Sequence, residues 1–475
     1  MKEVKNNAEN QLGTMPVGEL LYKFAIPSII AMLVGALYNI VDQFFIGQKI
    51  GELGNAATNV AFPLSTSCIA IALLFGIGGA SAYNLAMGKG EHKKAAYFIG
   101  NSLTMLFVLG LLLTIVTQSF LTPLLRFFSS PENVMGYAKT YTSITSLGFP
   151  FLILANGGGH LIRADGNPKF AMICNLSGAI INTILDPIFI FWLDMDMAGA
   201  ALATVIGQLF SFLLAISYFR RPQTVSIKKH HLIPKWSYTG RILSLGAAPA
   251  FNQIAMMIVQ ITMNKSLTHY GALSAYGESV PLASAGIINK VAMLFFSVVI
   301  GISQGMQPIV SFNYGAKKID RVKKVYSLAI RFGFIISLAA FLMFQLIPKP
   351  IISIFGSGTD KYFDFAVLYF RIYMFFTFIN FIQPISSNLF TSIGKPKKGI
   401  FLSLTRQIIF LLPFILVLPL FMGIDGIMYA GPAADLIAAI VSATFVVLEF
   451  RSMGKIEKEQ LEIKGKLNTR ISDTS

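Results

Sequence analysis

The chain has 475 residues, of which 54% are hydrophobic and only 13% charged, and its formal net charge is +16. A soluble domain averages about 25% charged residues, so the polar material here is too scarce to coat a water-soluble globule, and apolar side chains must face lipid. A basic balance in a soluble protein suggests nucleic acid. Here Lys and Arg gather in short gaps between apolar runs, which fits a membrane face and argues against a nucleic-acid partner.

Crossing a bilayer core of about 30 Å takes about 20 helical residues. The opening stretch, Met1 to Gln11, is hydrophilic and holds both Lys and Glu, unlike a cleavable signal peptide. Apolar runs of spanning length then follow at 20–47, 58–86, 95–122, 134–162, 169–193, 197–219, 241–267, 276–308, 322–347, 361–392, 398–421 and 424–450. The second run is long and holds Pro63, which suggests a short outer helix before the span. Period-two alternation, the mark of a strand barrel, is absent, so the runs read as helices. Cys68 and Cys174 lie inside apolar runs and read as small buried hydrophobes rather than a disulfide.

Gaps after even-numbered spans carry basic clusters such as Lys89, Lys93 and Lys94 or Lys317, Lys318, Arg321, Lys323 and Lys324. Gaps after odd-numbered spans carry scattered ones such as Lys49 and Arg126. The positive-inside rule places the first set, and both termini, in the cytoplasm. The widest polar gap divides the chain into an N-terminal segment (1–19), an N-lobe (20–219), a basic linker (220–240), a C-lobe (241–450) and a tail (451–475). The linker's charges read as solvated and near anionic lipid headgroups.

The two halves look related. HLIRADGNPKFAM at 160–172 aligns with NLFTSIGKPKKGI at 388–400, and Gly199 in DMAGAALAT falls over Gly426 in GIDGIMYAG. A proline opens each half, Pro27 and Pro249. Six spans per repeat give parallel repeats about an axis along the membrane normal, which enclose a cleft and rock against each other. The expected fold is therefore an all-α polytopic membrane protein of about twelve transmembrane helices, in two pseudo-symmetric six-helix lobes around a central cavity.

Ionisable groups inside a span cost a few kcal/mol on insertion scales and mark function by default. In the N-lobe these are Asp42 in ALYNIVDQFFIG and Asp186 in NTILDPIFIF. Tyr38 and Asp42 are four apart and share a helix face, as do Asn182 and Asp186. Pro187 has no amide, so the carbonyl of Thr183 is released. A carboxylate, an amide oxygen and a free carbonyl in one patch can hold Na+, or the carboxylate can take and release a proton. The other use for each Asp is a hydrogen bond to a neighbouring helix. Asn156 and Thr204 can join the patch or serve packing, and Tyr141 is a further cavity candidate. In the C-lobe the intramembrane charges read as basic, namely Lys290, Arg371 and Arg406, with Arg371 placed to snorkel. Glu278 lies near an outer loop. Pro27 permits a bend in the first span that would move Asp42 against Asp186.

The patterns YNIVDQFFIG, RADGNPKFAM, NTILDPIFIF and GAALAT together resemble the multidrug and toxic compound extrusion (MATE) family, over about residues 18 to 450 and closest to its MepA-like bacterial branch. The resemblance implies twelve helices in two lobes and export of cationic lipophilic compounds from the bacterial cytoplasm by a monomer in the cell membrane, in exchange for H+ or Na+ and without a cofactor. It implies a cation site at Asp42, Asn156, Asn182, Asp186 and Thr204, with Tyr38 nearby. The chain departs from the pattern in the C-lobe: span seven offers Asn252 and Gln253 but no acid, and span ten has Asp364 only near its outer end, so coupling is expected through the N-lobe. The alternative within the same architecture is a flippase for lipid-linked precursors, whose cationic cavity Lys290, Arg371 and Arg406 would allow and Asp42 and Asp186 oppose. An intramembrane enzyme needs paired Asp motifs, a His/Glu zinc set or a Ser/His dyad, and the sequence has none of these.

Overall fold

The structure, a computed structural model, describes residues 7–128, 131–277, 279–355 and 359–472. Glu278 and residues 1–6 lie outside these. The regular structure of the described residues is helical throughout. We number the membrane crossings α1 (Val17–Ile50), α2 (Glu52–Gly88), α3 (His92–Ser119), α4 (132–164), α5 (Pro168–Trp192), α6 (Asp196–Phe219), α7 (Trp236–Ala272), α8 (Ser279–Gly315), α9 (Ile319–Leu346), α10 (Asp360–Ser392), α11 (Pro396–Met422) and α12 (Ile424–Gly454, the first part of a helix that continues to Ser472).

Eleven of these are long and apolar enough to cross a membrane as they stand. The exception is α4, which is two 16-residue helices, Glu132–Leu147 and Phe149–Ala164. The sequence predicts one unbroken run there. Pro150 cannot donate to the carbonyl four residues back, so the ladder stops at Gly148 and restarts. The equivalent crossing α10 breaks in the same place, into Asp360–Tyr373, Thr377–Asn380 and Ile382–Ser392. The duplication extends to short helices after α3 and α9, Leu121–Phe127 and Pro348–Phe355. Each of α5 and α11 also contains a π-helical turn, Ile188–Trp192 and Thr405–Leu411, but at different places along the helix. The short outer helix expected before Pro63 does not form: α2 runs unbroken through it, and the Ser67 hydroxyl donates to the Pro63 carbonyl at 2.9 Å. Cys68 and Cys174 are both free and buried.

The two lobes seal against each other at one end, where the basic loops lie. A methyl group on Gly246 of α7 would stand 1.8 Å from the Leu74 carbonyl of α2, and one on Gly88 of α2 would stand 2.1 Å from the Phe312 carbonyl of α8. Gly301 and Gly305 of α8 press on Ile29 and Ala25 of α1 in the same way. Small residues let backbones approach this closely in lipid, where packing rather than hydrophobicity holds helices together. Gln307 of α8 adds hydrogen bonds across the seam to the Ile77 carbonyl (3.2 Å) and the Ser81 hydroxyl (2.8 Å). The short helix Asn7–Thr14 is held here too, its Leu12 carbonyl accepting from Asn313 at 2.9 Å.

The linker is strapped to the N-lobe at both ends. Asp165, after α4, accepts from the Tyr83 and Tyr218 hydroxyls at 2.8 Å each, from the Gln223 amide at 2.7 Å, and from Thr224. Gly166 beside it has φ +95°, a conformation that an L side chain resists. Burial pushes the Asp165 carboxyl up, and its donors Thr224, Gln223, Tyr218 and Tyr83 act against that shift. At the far end Asn101 of α3 donates to the His231 carbonyl at 2.9 Å and accepts from the Lys235 amide at 2.7 Å. The His231 imidazole is held below its ordinary value, first by burial and then by His230, Lys228 and Lys235. Its Nδ1 accepts from the Lys228 amide at 3.0 Å, as a neutral ring can.

Candidate functional site

Asp42 lies in the half of α1 away from the interlobe seam, and Asp186 lies near the end of α5 that reaches the same level. Both side chains are buried, at 7% and 0% exposure. The carboxyl groups face each other within side-chain hydrogen-bonding range. One oxygen of Asp42 has no hydrogen-bond partner. No lysine, arginine or histidine is among the groups acting on either carboxyl. Lys49, the nearest base along α1, is paired with Asp194 in the loop after α5.

Asn182, one turn before Asp186, couples α5 to α6. With its amide nitrogen turned to Asp186 Oδ2 (3.2 Å), its oxygen accepts from the Thr204 backbone amide (3.2 Å). In the other orientation it bridges Asp186 Oδ1 (3.4 Å) and the Thr204 hydroxyl (3.3 Å). The close crossing that permits this is made by glycine: a Cβ on Gly207 of α6 would lie 2.6 Å from the Gly178 carbonyl of α5. Tyr38 and Tyr141 stand beside both carboxylates, and the Tyr141 hydroxyl reaches Thr204. After Asp186 the chain passes through Pro187 into the π-helical turn. Such turns leave carbonyls off the regular ladder.

Six of the residues singled out from sequence therefore meet: Tyr38, Asp42, Tyr141, Asn182, Asp186 and Thr204. Asn156 is not joined to them, because its side-chain amide turns back to the Leu152 carbonyl of its own helix at 3.0 Å. Pro27 sits buried near the seam, inside an α1 that continues through it. Lys290 is half-buried in α8, and Arg371 is exposed.

The reading of the C-lobe charges as basic is corrected by Asp435 in α12, which forms an ion pair with Arg406. Glu449 nearer the end of the same crossing is also buried, and holds Lys395 and Lys398. Both acids break apolar runs in the sequence just as Asp42 and Asp186 do, so the same rule finds them. Their contacts with Asn380 and Lys395, by contrast, need the fold.

A duplicated bundle of membrane-crossing helices with a polar cluster buried in each lobe is the frame of a transporter rather than an enzyme. The family model MatE matches residues 27–188 and 249–417, and the chain belongs to that family. It is 26% identical over 440 residues to the multidrug export protein MepA of Staphylococcus haemolyticus (strain JCSC1435), covering 92% of this chain and 95% of that protein. Among solved structures, the outward-facing conformation of a multidrug resistance MATE family transporter superposes with a TM-score of 0.88 at 22% identity, over 95% of this chain and 99% of that one. A MOP superfamily transporter from Pyrococcus furiosus Vc1 (DSM3638), reported with a binding pocket of reverse polarity that suggests a different function, superposes with a TM-score of 0.87 at 22% identity, over 95% and 100%.

Proposed function

We propose that the chain is a secondary active multidrug exporter that moves cationic, lipophilic compounds out of the cell in exchange for H+ or Na+, by alternating access between its lobes. The observation that carries this reading is the buried pair Asp42 and Asp186, which has no basic partner among the described residues. Two carboxyl groups this close cannot both stay charged and unneutralised, so they share a proton or hold a cation. Oxygens from Asp42, Asp186, Asn182 and Thr204 make a donor set suited to Na+, a hard cation. The same pair serves a proton equally well. A substrate cation that binds in the cleft competes for this negative charge, and that competition couples the two fluxes. The MepA relatives, named for multidrug export, support the substrate class. The same reading places both termini in the cytoplasm of a bacterial cell, with the chain acting as a monomer among membrane lipids.

A flippase of lipid-linked precursors is the alternative, and one fold serves more than one substrate. A diphosphate needs free cationic charge. Arg406 is already neutralised by Asp435, which weighs against that use.

The test is efflux of a fluorescent cationic dye from proteoliposomes under an imposed H+ or Na+ gradient, with wild type beside Asp186→Asn. Gradient-driven efflux is expected in wild type and at background in the variant, and the effective gradient names the ion. Coupled efflux retained in the variant contradicts the assignment of Asp186.

A further inference from the structure

The second buried polar cluster lies in the C-lobe. Arg406, on the π-helical turn of α11, ion-pairs with Asp435 of α12, and their side chains are 12% and 3% exposed. Asn380 of α10 donates to the other Asp435 oxygen at 3.0 Å. The Tyr373 side chain hydrogen-bonds the guanidinium, and the ring of Phe296 of α8 lies 5.8 Å from it. Four helices of the lobe thus converge on one ion pair, and both oxygens of the acid are engaged by protein.

The duplication allows the two lobes to be compared position by position. Counted from Pro168 and Pro396, Asn182 corresponds to Phe410; counted from Gly199 and Gly426, Thr204 corresponds to Gly431. The oxygen donors beside the N-lobe acids are therefore missing at the matching C-lobe positions. Arg406 lies one helical turn before Phe410 and Asp435 one turn after Gly431, and because α11 and α12 run antiparallel, both displacements point towards the basic-loop end. Their N-lobe counterparts are Gly178 and Gln208, neither charged. The N-lobe cluster of Asp42 and Asp186 brings two acids together with no base acting on them, while the C-lobe cluster holds an acid with a base built in.

We propose that Arg406 is a tethered counter-cation, filling at Asp435 the place of a small monovalent ion, so that the C-lobe contains a cation site closed by the protein's own side chain. A buried carboxylate requires a compensating charge. A guanidinium supplies one that cannot be lost by deprotonation. The C-lobe pair therefore keeps its charge state through a transport cycle, and ion exchange is left to the other lobe. Removal of the guanidinium opens the site to H+ or Na+.

The experiment uses the full chain carrying Asp42→Asn and Asp186→Asn in every sample, so its outcome does not depend on the coupling role proposed for those residues. Thermal stability of the purified protein is measured against NaCl, with choline chloride holding ionic strength, and separately against pH; binding of radioactive 22Na+ is measured in parallel. The expected result is that this parent is flat in Na+ and shows no response that Asp435→Asn removes. Adding Arg406→Gln should create a stabilisation by Na+ or by acidification, and the further change Asp435→Asn should abolish it. The arm that responds identifies the ion. A folded Arg406→Gln variant that stays flat in both arms overturns the proposal. So does a cation response in the parent that Asp435→Asn removes, a comparison that needs no Arg406 variant and stands even where that variant fails to fold.

Discussion

At the scale of single residues, the account rests on charges buried where charge is costly. Asp42 and Asp186 are visible in the sequence because each interrupts an apolar run, and the i, i+4 spacing of Asn182 and Asp186 predicts their shared face. Replacing Asn182 with Ala removes the link to Thr204 without adding bulk at the tight α5–α6 crossing; coupled dye efflux is expected to fall while thermal stability of the purified protein changes by about 0.5–3 kcal/mol, the range of an ordinary point change. Breaking the other pair should weigh more on stability. Arg406→Met leaves Asp435 buried and unpaired, a change that typically costs about 3–5 kcal/mol, and Asp435→Asn in the same chain should restore part of it. Denaturation midpoints of the two variants check this. Asn156 shows where spacing runs out: a half-buried amide can satisfy itself on its own helix, and nothing in the sequence says which way it turns.

At the scale of elements, the twelve apolar runs locate the twelve crossings, since length and polarity set them, but helices continue past the apolar runs: α2 starts at Glu52, α8 ends at Gly315 and the last helix continues to Ser472. The breaks in α4 and α10 are hidden, because an apolar run stays apolar through a break, and only Pro150 hints at the first. The linker behaves likewise. Its charge is legible, but its attachment depends on Asp165 and Asn101, which come from distant helices. His231 gives that attachment a pH dependence. Folding lowers its imidazole below the ordinary 6.5, so the folded state prefers the neutral ring, and the stability it contributes is lost as pH falls through 6.5 and below. Protection of the linker amides in 228–235 against hydrogen exchange, taken relative to the intrinsic rate at each pH, is expected to fall between about pH 7 and 5 more than protection in the helices, and His231→Gln should flatten that dependence.

At the scale of the whole molecule, the close glycine approaches between the lobes among the described residues, and the hydrogen bonds of Gln307, fall at the basic-loop end, and the acid pair sits in the opposite half. This is one of the two states that alternating access requires. The duplication was legible from the sequence, but which end is sealed was not, because both states must be compatible with one sequence. Gly246→Leu should wedge the seam open, since even a Cβ there would stand 1.8 Å from the Leu74 carbonyl. Maleimide labelling of a Ser81→Cys reporter is expected to rise in that variant and transport to fall. The most direct test of the central claim, that the N-lobe acid pair holds the ion that substrate displaces, is made on purified protein in weakly buffered detergent. Adding a cationic dye should release protons, or bound 22Na+, from the wild type and none from the variant carrying Asp42→Asn and Asp186→Asn. Dye binding without release in the wild type, or equal release from the variant, would contradict it.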